Sequence, residues 1–268
     1  MSHSDFASIL PEKFYKYRSM ESSENAARTE KVVLHDEIFF ASPRTFNDPF
    51  DLKLSFSLTA SPQQQREDFL RLSRKYQPNL SETEHQVEAN RVVSMPLNAD
   101  NIATTTTLIQ FLHAEALTNV GVFCVSTKRD DILMWSHYAD SHRGICLEFD
   151  GLSPLMAQAQ RVNYSSKRVP INPYTDNPET MMKKGLLTKS DHWVYENEWR
   201  LIRYADGPGV AKYSPTNLTG IILGALASPK TVATVHDWVS RRSFPLPIYR
   251  ATTSAEEFEL LISPAIKA

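Results

Sequence analysis

The sequence predicts an α+β protein, with mixed, mainly antiparallel sheets, flanking helices and a helical insertion. Three observations carry this. Short runs such as FYKYR, GVFCVS, GICLEF and LTGIIL have the length and alternation of strands. Stretches with apolar residues at three- and four-residue spacing follow Ser caps and read as helices. The two kinds do not follow the regular alternation that a doubly wound parallel sheet requires. A single domain over 1–268 is expected, with the insertion at 61–118.

In chain order, FYKYRSM (Phe14 to Met20) predicts a strand and SSENAARTEKVV a helix from Ser22 to Val33. EIFFASP predicts a second strand, stopped by Pro43. Asn47, Asp48 and Asp51 around Pro49 predict a turn rich in acceptors, either an Asx-type loop staple or the rim of a site. SPQQQREDFLRLSRKY and the stretch including LIQFLHAEAL read as helices of the insertion, with the Thr104 to Thr107 run as a loop or helix start. GVFCVSTKRDD is a strand, ILMWSHYADSHRGICLEFD a short helix running into a strand, and ETMMKKGLLTKSDHW a helix with a basic face. LTGIILGALASPK then gives a buried strand, TVATVHDWVSRR a helix, PLPIYRATTS an edge strand and EEFELLI the tail.

Composition narrows the function classes. With 268 residues, 41% hydrophobic and 22% charged, the chain can bury a sizeable core, and its net charge of -2 provides no overall basic field for nucleic acid. Cys124 and Cys146 lie in apolar strand-like runs, where thiols pack as small hydrophobes rather than form a disulfide framework. His137 and His142, five apart, do not share a helix face, so no metal site is expected from them. No apolar run reaches about 18 residues and no leader pattern opens the chain, so cytoplasmic residence without a membrane partner is expected. The glycine-rich nucleotide, zinc-protease and serine-hydrolase motifs are absent from the sequence.

WVYENEWRLIRY, Trp193 to Tyr204, is the stretch with the most chemistry. Read as one strand, it puts Glu196, Glu198 and Arg200 on one face. Two acids and a base among aromatic and aliphatic residues either pair with each other or line a cleft.

The segments YKYR, FFASPRTFNDPFD, MWSHYADSHRGICLEFD and WVYENEWRL resemble a bacterial domain-of-unknown-function family that includes AbiGi-like abortive-infection proteins. A more distant likeness is to ADP-ribosyltransferases of the Arg, Ser, Glu type, carried by Arg18, by Ser126 and Thr127 in FCVSTK, and by Glu196 and Glu198. Lys128 stands where that motif has a second serine, and the gap from Ser126 to Glu196 is long. A second alignment places Tyr17, Phe40 and Ser42 at the positions of the histidine and tyrosine of the other transferase class.

That likeness implies an ADP-ribosyltransferase-like fold. It also implies an enzyme that cleaves NAD, as substrate, in anti-phage defence or toxin–antitoxin conflict. Glu198 would stabilise the oxocarbenium-like ribose, and Glu196 would activate an acceptor, protein or nucleic acid. Arg18 would offer its planar fork to the pyrophosphate, Ser126 and Thr127 would orient the ribose or the carboxylate, and Tyr17, Trp135 and Tyr138 would stack on the rings. A partner protein from a defence operon is also implied. Two other classes stay open: a non-enzymatic sensor or antitoxin-like binding protein, and a magnesium nuclease using Asp48, Asp51, Glu196 and Glu198.

Overall fold

In this computed structural model the described residues are 10–51, 55–94, 115, 117–204 and 206–265. The start of the chain, the Thr104–Thr107 run and most of LIQFLHAEAL lie outside them. Along the chain run β1 (Lys13–Arg18), α1 (Ser23–His35), β2 (Glu37–Phe40), β3 (Ser55–Phe56), α2 (Pro62–Tyr76) and α3 (Glu82–Ser94). Then follow β4 (Gly121–Ser126), α4 (Ile132–Tyr138), β5 (Ile145–Asp150), β6 (Gln160–Arg161), β7 (Asn163–Ser165) and β8 (Pro170–Ile171). The rest comprises α5 (Pro178–Leu186), β9 (Thr188–Ser190), β10 (Glu198–Arg203), β11 (Gly209–Lys212), β12 (Leu218–Leu223), α6 (Pro229–Ser240), β13 (Ile248–Thr253) and β14 (Leu260–Pro264).

The chain divides into two compact units. The first, Met1–Phe46, Thr118–Tyr164 and Asp191–Ala268, is built on an eight-stranded sheet in the order β14-β13-β12-β5-β1-β4-β10-β6. Neighbouring strands in it are antiparallel except β12 with β13, which run parallel and are joined through α6. The fold is thus α+β with a large, mainly antiparallel sheet.

Strand alternation sorts side chains onto two faces. Phe14, Leu147, Phe149, Ile221 and Leu223 meet Val32 and Val33 of α1 and Val235 and Trp238 of α6 in one apolar cluster. Tyr15, Tyr17, Cys146 and Ile222 meet Met134, Trp135 and Ala139 of α4 in a second. Helix ends follow their caps: Ser22 accepts from Asn25 at the start of α1, and Asp131 accepts from the Leu133 and Met134 amides at the start of α4.

Three expectations change in this unit. The stretch Trp193 to Tyr204 is not one strand, because Asp191–Glu196 is a 3-10 helix and Asn197, at φ 41°, turns the chain before β10 begins at Glu198. Alternation therefore holds only from Glu198 onward. PLPIYRATTS gives β13, which is not an edge strand, since β12 and β14 flank it. The supposed tail supplies β14.

The second unit is Asn47–Leu117 with Ser165–Ser190, so it holds the expected insertion up to residue 117 together with the Pro-rich connector and α5. Its α2 starts with a capping box between Ser61 and Gln64, and α2 packs on α3 through Leu70, Ala89 and a 2.8 Å bond between Ser73 Oγ and His85 Nδ1. β3 and β8 form a short parallel pair. The Asp48–Asp51 turn is of Asx type: Asp48 Oδ1 accepts from the Phe50 amide at 2.8 Å. Among the described residues, no helix is long and apolar enough to cross a membrane.

Candidate functional site

The first unit carries a polar row across its sheet. β4 is in register with both neighbours at one residue: Ser126 faces Tyr15 of β1 and Glu198 of β10, and Tyr15 in turn faces Glu148 of β5. Directly opposed residues point to the same face, so Glu198, Ser126, Tyr15 and Glu148 share the side covered by α4. All four are buried. Such a row is costly without partners, and each member has one.

Ser126 Oγ donates to the Glu196 carbonyl at 2.5 Å and accepts from the Lys128 amide at 3.0 Å. Arg200, two residues along β10 and fully buried, forks onto Glu198, with Nε to Oε1 at 2.7 Å and Nη2 to Oε2 at 3.1 Å. The Phe46 ring lies 5.5 Å from the guanidinium carbon of Arg200. The Glu198 amide donates to Tyr164 Oη at 2.8 Å, which fixes the first residue of the strand. Glu196 closes the 3-10 helix, and its Oε1 accepts from Tyr138 Oη at 2.6 Å, tying the end of α4 to the acids. Burial, then the charge of Glu196, pushes the Tyr138 hydroxyl well above the usual tyrosine range. Beyond them His137 Nδ1 and Tyr195 Oη lie 2.9 Å apart.

The structure thus brings Ser126, Glu196, Glu198 and Tyr138 together, and Thr127 follows directly on Ser126, half-buried. Tyr17 and Trp135 pack edge to face at 5.2 Å, with Tyr17 Oη donating to the Lys128 carbonyl at 2.7 Å and Trp135 Nε1 donating to the Arg129 carbonyl at 2.9 Å. Arg18 is placed differently. It pairs with Ile145 of the first apolar cluster and shares the alternation of Phe14 and Lys16, whereas Tyr15 and Tyr17 belong to the second. Its Nε is buried without a hydrogen-bond partner, and burial pulls its guanidinium down to about 10. Phe40 is buried in the first cluster, and Ser42 Oγ accepts from the Arg44 amide.

Sequence reasoning missed Tyr15, Glu148 and Tyr164 as members of this row. Tyr15 had a signal, since it stands two residues before Tyr17 on one strand. Tyr164 had none, because only the fold brings it to Glu198. Of the other acids named in the sequence, Asp51 lies 3.9 Å from Lys189 within the second unit. Among the described residues, no group of three or more His, Cys, Asp and Glu side chains is placed to hold a metal ion.

No curated protein and no solved structure matches the chain. Residues 134–201, from α4 through the 3-10 helix into β10, match the family model described as a protein of unknown function, DUF2971, so the stretch that carries Trp135, Tyr138, Glu196 and Glu198 is similar to a domain of unknown function.

Proposed function

We propose that the first unit is an NAD-cleaving enzyme, an ADP-ribosyltransferase or glycohydrolase, that works in bacterial conflict with phage. The observation that supports it is the cross-strand pairing of Ser126 with Glu198, with Glu196 and Tyr138 beside them. In that reaction the bond between nicotinamide and ribose breaks, its electron pair leaves with nicotinamide, and the anomeric carbon takes the acceptor's oxygen or nitrogen. Glu198 holds the ribose as positive charge develops, and Ser126 keeps the backbone between the two acids in place. Glu196 receives the acceptor's proton, while Tyr138 steadies the carboxylate until then. Arg18 stands on the other face of the sheet and takes no part in this reading.

Release of free nicotinamide from NAD tests this. Glu198→Gln, which keeps size and hydrogen bonding, should slow release on the order of 10²–10³-fold; because it leaves the buried Arg200 charge without its carboxylate, it should also lower the melting temperature, so release is compared well below both melting transitions. Release unaffected by the substitution removes Glu198 from the chemistry. The buried two-pronged pair of Arg200 with Glu198 favours a second reading, a non-enzymatic binding protein in which the acids hold the sheet. Under that reading no nicotinamide appears at any enzyme concentration.

A further inference from the structure

The first unit also carries a hollow of about 510 Å³ that the reading above does not use. Its apolar lining comes from three elements: Ile132 starts α4, Ala225 and Leu226 follow β12, and Leu260 starts β14. Ile132 and Leu226 are exposed, so this lining opens to water instead of closing into the core. The loop between β13 and β14 supplies the rest, with Phe258 and the carboxylates of Glu256, Glu257 and Glu259.

A run of exposed acids on a loop is ordinarily a solvated face. Phe258 sets this loop apart. Its side chain is fully exposed although the loop is held: the Ser254 amide donates to the Glu259 carbonyl at 3.1 Å, and Ser254 Oγ accepts from the amides of Glu256 and Glu257, each at 3.2 Å. A large aromatic fixed in water beside an apolar hollow marks a contact surface. Charge decides what fits there. No lysine or arginine lines the hollow, and among the described residues none of the three carboxylates enters an ion pair. Burial pulls the imidazole of His142, on the same wall, downward, so it adds no positive charge at neutral pH.

We propose that this groove docks an extended peptide segment in which basic residues alternate with apolar ones. The apolar side chains enter the hollow against Phe258, Leu226 and Ile132, and the basic ones meet Glu256, Glu257 and Glu259. The sheet argues for an extended backbone. β14 is its last strand, bonded among the described residues to β13 on one side only, and its first residue, Leu260, lines the hollow. A strand added to that edge gains main-chain hydrogen bonds and carries its side chains past the groove. Pro264, at the far end of β14, offers no amide, so pairing favours the end beside the hollow.

Fluorescence anisotropy with the full chain tests this on labelled synthetic peptides that alternate leucine with arginine, leucine with glutamate, or serine with arginine. The leucine-arginine peptide is expected to bind at least about 10-fold tighter than the other two, with an affinity that falls as salt is added. Glu256→Gln, Glu257→Gln and Glu259→Gln together change exposed side chains only, and should weaken it by about 10-fold or more with an unchanged melting profile. Phe258→Ala should weaken it too, as should methylation of the peptide's backbone amides, which removes the donors that pairing with β14 needs. Equal binding of the leucine-arginine and leucine-glutamate peptides, equal affinity of parent and triple variant, or an affinity indifferent to amide methylation overturns the proposal. So does spermidine bound as tightly as the peptide, which gives the acids to a small amine, or self-association in sedimentation that the triple variant abolishes, which gives the groove to a second copy of the chain. Nicotinamide release by the triple variant should match the parent, so this proposal and the NAD reading fail separately.

Discussion

At the scale of single residues the decisive feature is Glu198 locked to Arg200. A fully buried guanidinium and a carboxylate with 5% side-chain exposure are stable only as a pair, since removing one member strands the other charge in the core. Arg200→Met should therefore cost about 3–5 kcal/mol, a fall in melting temperature on the order of 10 °C for a chain of this size. Adding Glu198→Gln to that variant should restore part of the loss. If the double variant melts lower than Arg200→Met alone, the two residues are not coupled as the geometry demands. Tyr15, in the same row, gives a pH-dependent test. Burial, followed by the charge of Glu148, pushes its hydroxyl up to about 12, while in the unfolded chain it ionises near 10. The folded state holds this proton more tightly, so the stabilisation is complete below pH 10 and is lost as pH rises toward 12. Tyr15→Phe should lose less melting temperature than the parent between pH 10 and 12. The effect is partial, because Tyr17, Tyr138 and Tyr213 are pushed in the same direction.

At the scale of elements, the corner between α4 and β5 stands out. Asp140, Ser141 and His142 take φ values of 50°, 47° and 68° in succession, a left-handed turn without a glycine. Each such residue costs ~1–2 kcal/mol relative to a right-handed conformation, offset here by backbone bonds from Ser141 to Ser136 and from His142 to Trp135. Ser141 is exposed, so Ser141→Gly relieves strain without removing buried contacts, and the net gain should be up to about 1 kcal/mol after glycine's greater freedom in the unfolded chain is counted. A raised melting temperature is the expected reading, and a lowered one would mean that the turn is unstrained. Nothing in ADSHRG announces this turn, since Asp, Ser and His are common in ordinary loops. The same limit explains the break at Asn197: asparagine tolerates a left-handed φ, but WVYENEWRLIRY contains no glycine or proline to mark the boundary. By contrast, the cap of α1, the stop at Pro43 and the strand GICLEFD were legible, because local chemistry alone decides them. The partners of Ser126 were legible only in part. Alternation places Glu198 and Arg200 on one face, but register with Tyr15 and contact with Tyr164 depend on strands distant in sequence.

At the scale of the whole molecule, the two units differ in how their cores are built. The eight-stranded sheet is covered on both faces, with α1 and α6 on one apolar cluster and α4 on the other, and its inner strands β5, β1 and β4 have neighbours on both sides. Among its described residues, the second unit has the α2–α3 pair, α5, a two-residue strand pair and a small set of buried apolar side chains, Leu70, Ala89, Leu117, Ile171, Leu186 and Leu187. Its joining of 47–117 to 165–190 was invisible in the sequence, where the stretch from Val162 to Pro178 reads only as a polar, Pro-rich connector, because long-range packing rather than local propensity unites the two segments. Local opening free energy follows buried contact and bonded backbone, so exchange of amide hydrogens should be slowest along Phe14–Tyr17, Val122–Val125 and Ile145–Phe149. Amides of α2 and α3 should exchange at least 10-fold faster, with protection that reports opening of the second unit rather than global unfolding. Equal protection in α2, α3 and the central strands would show that the chain opens as one cooperative body, and the two units would then be divisions of contact without separate stability.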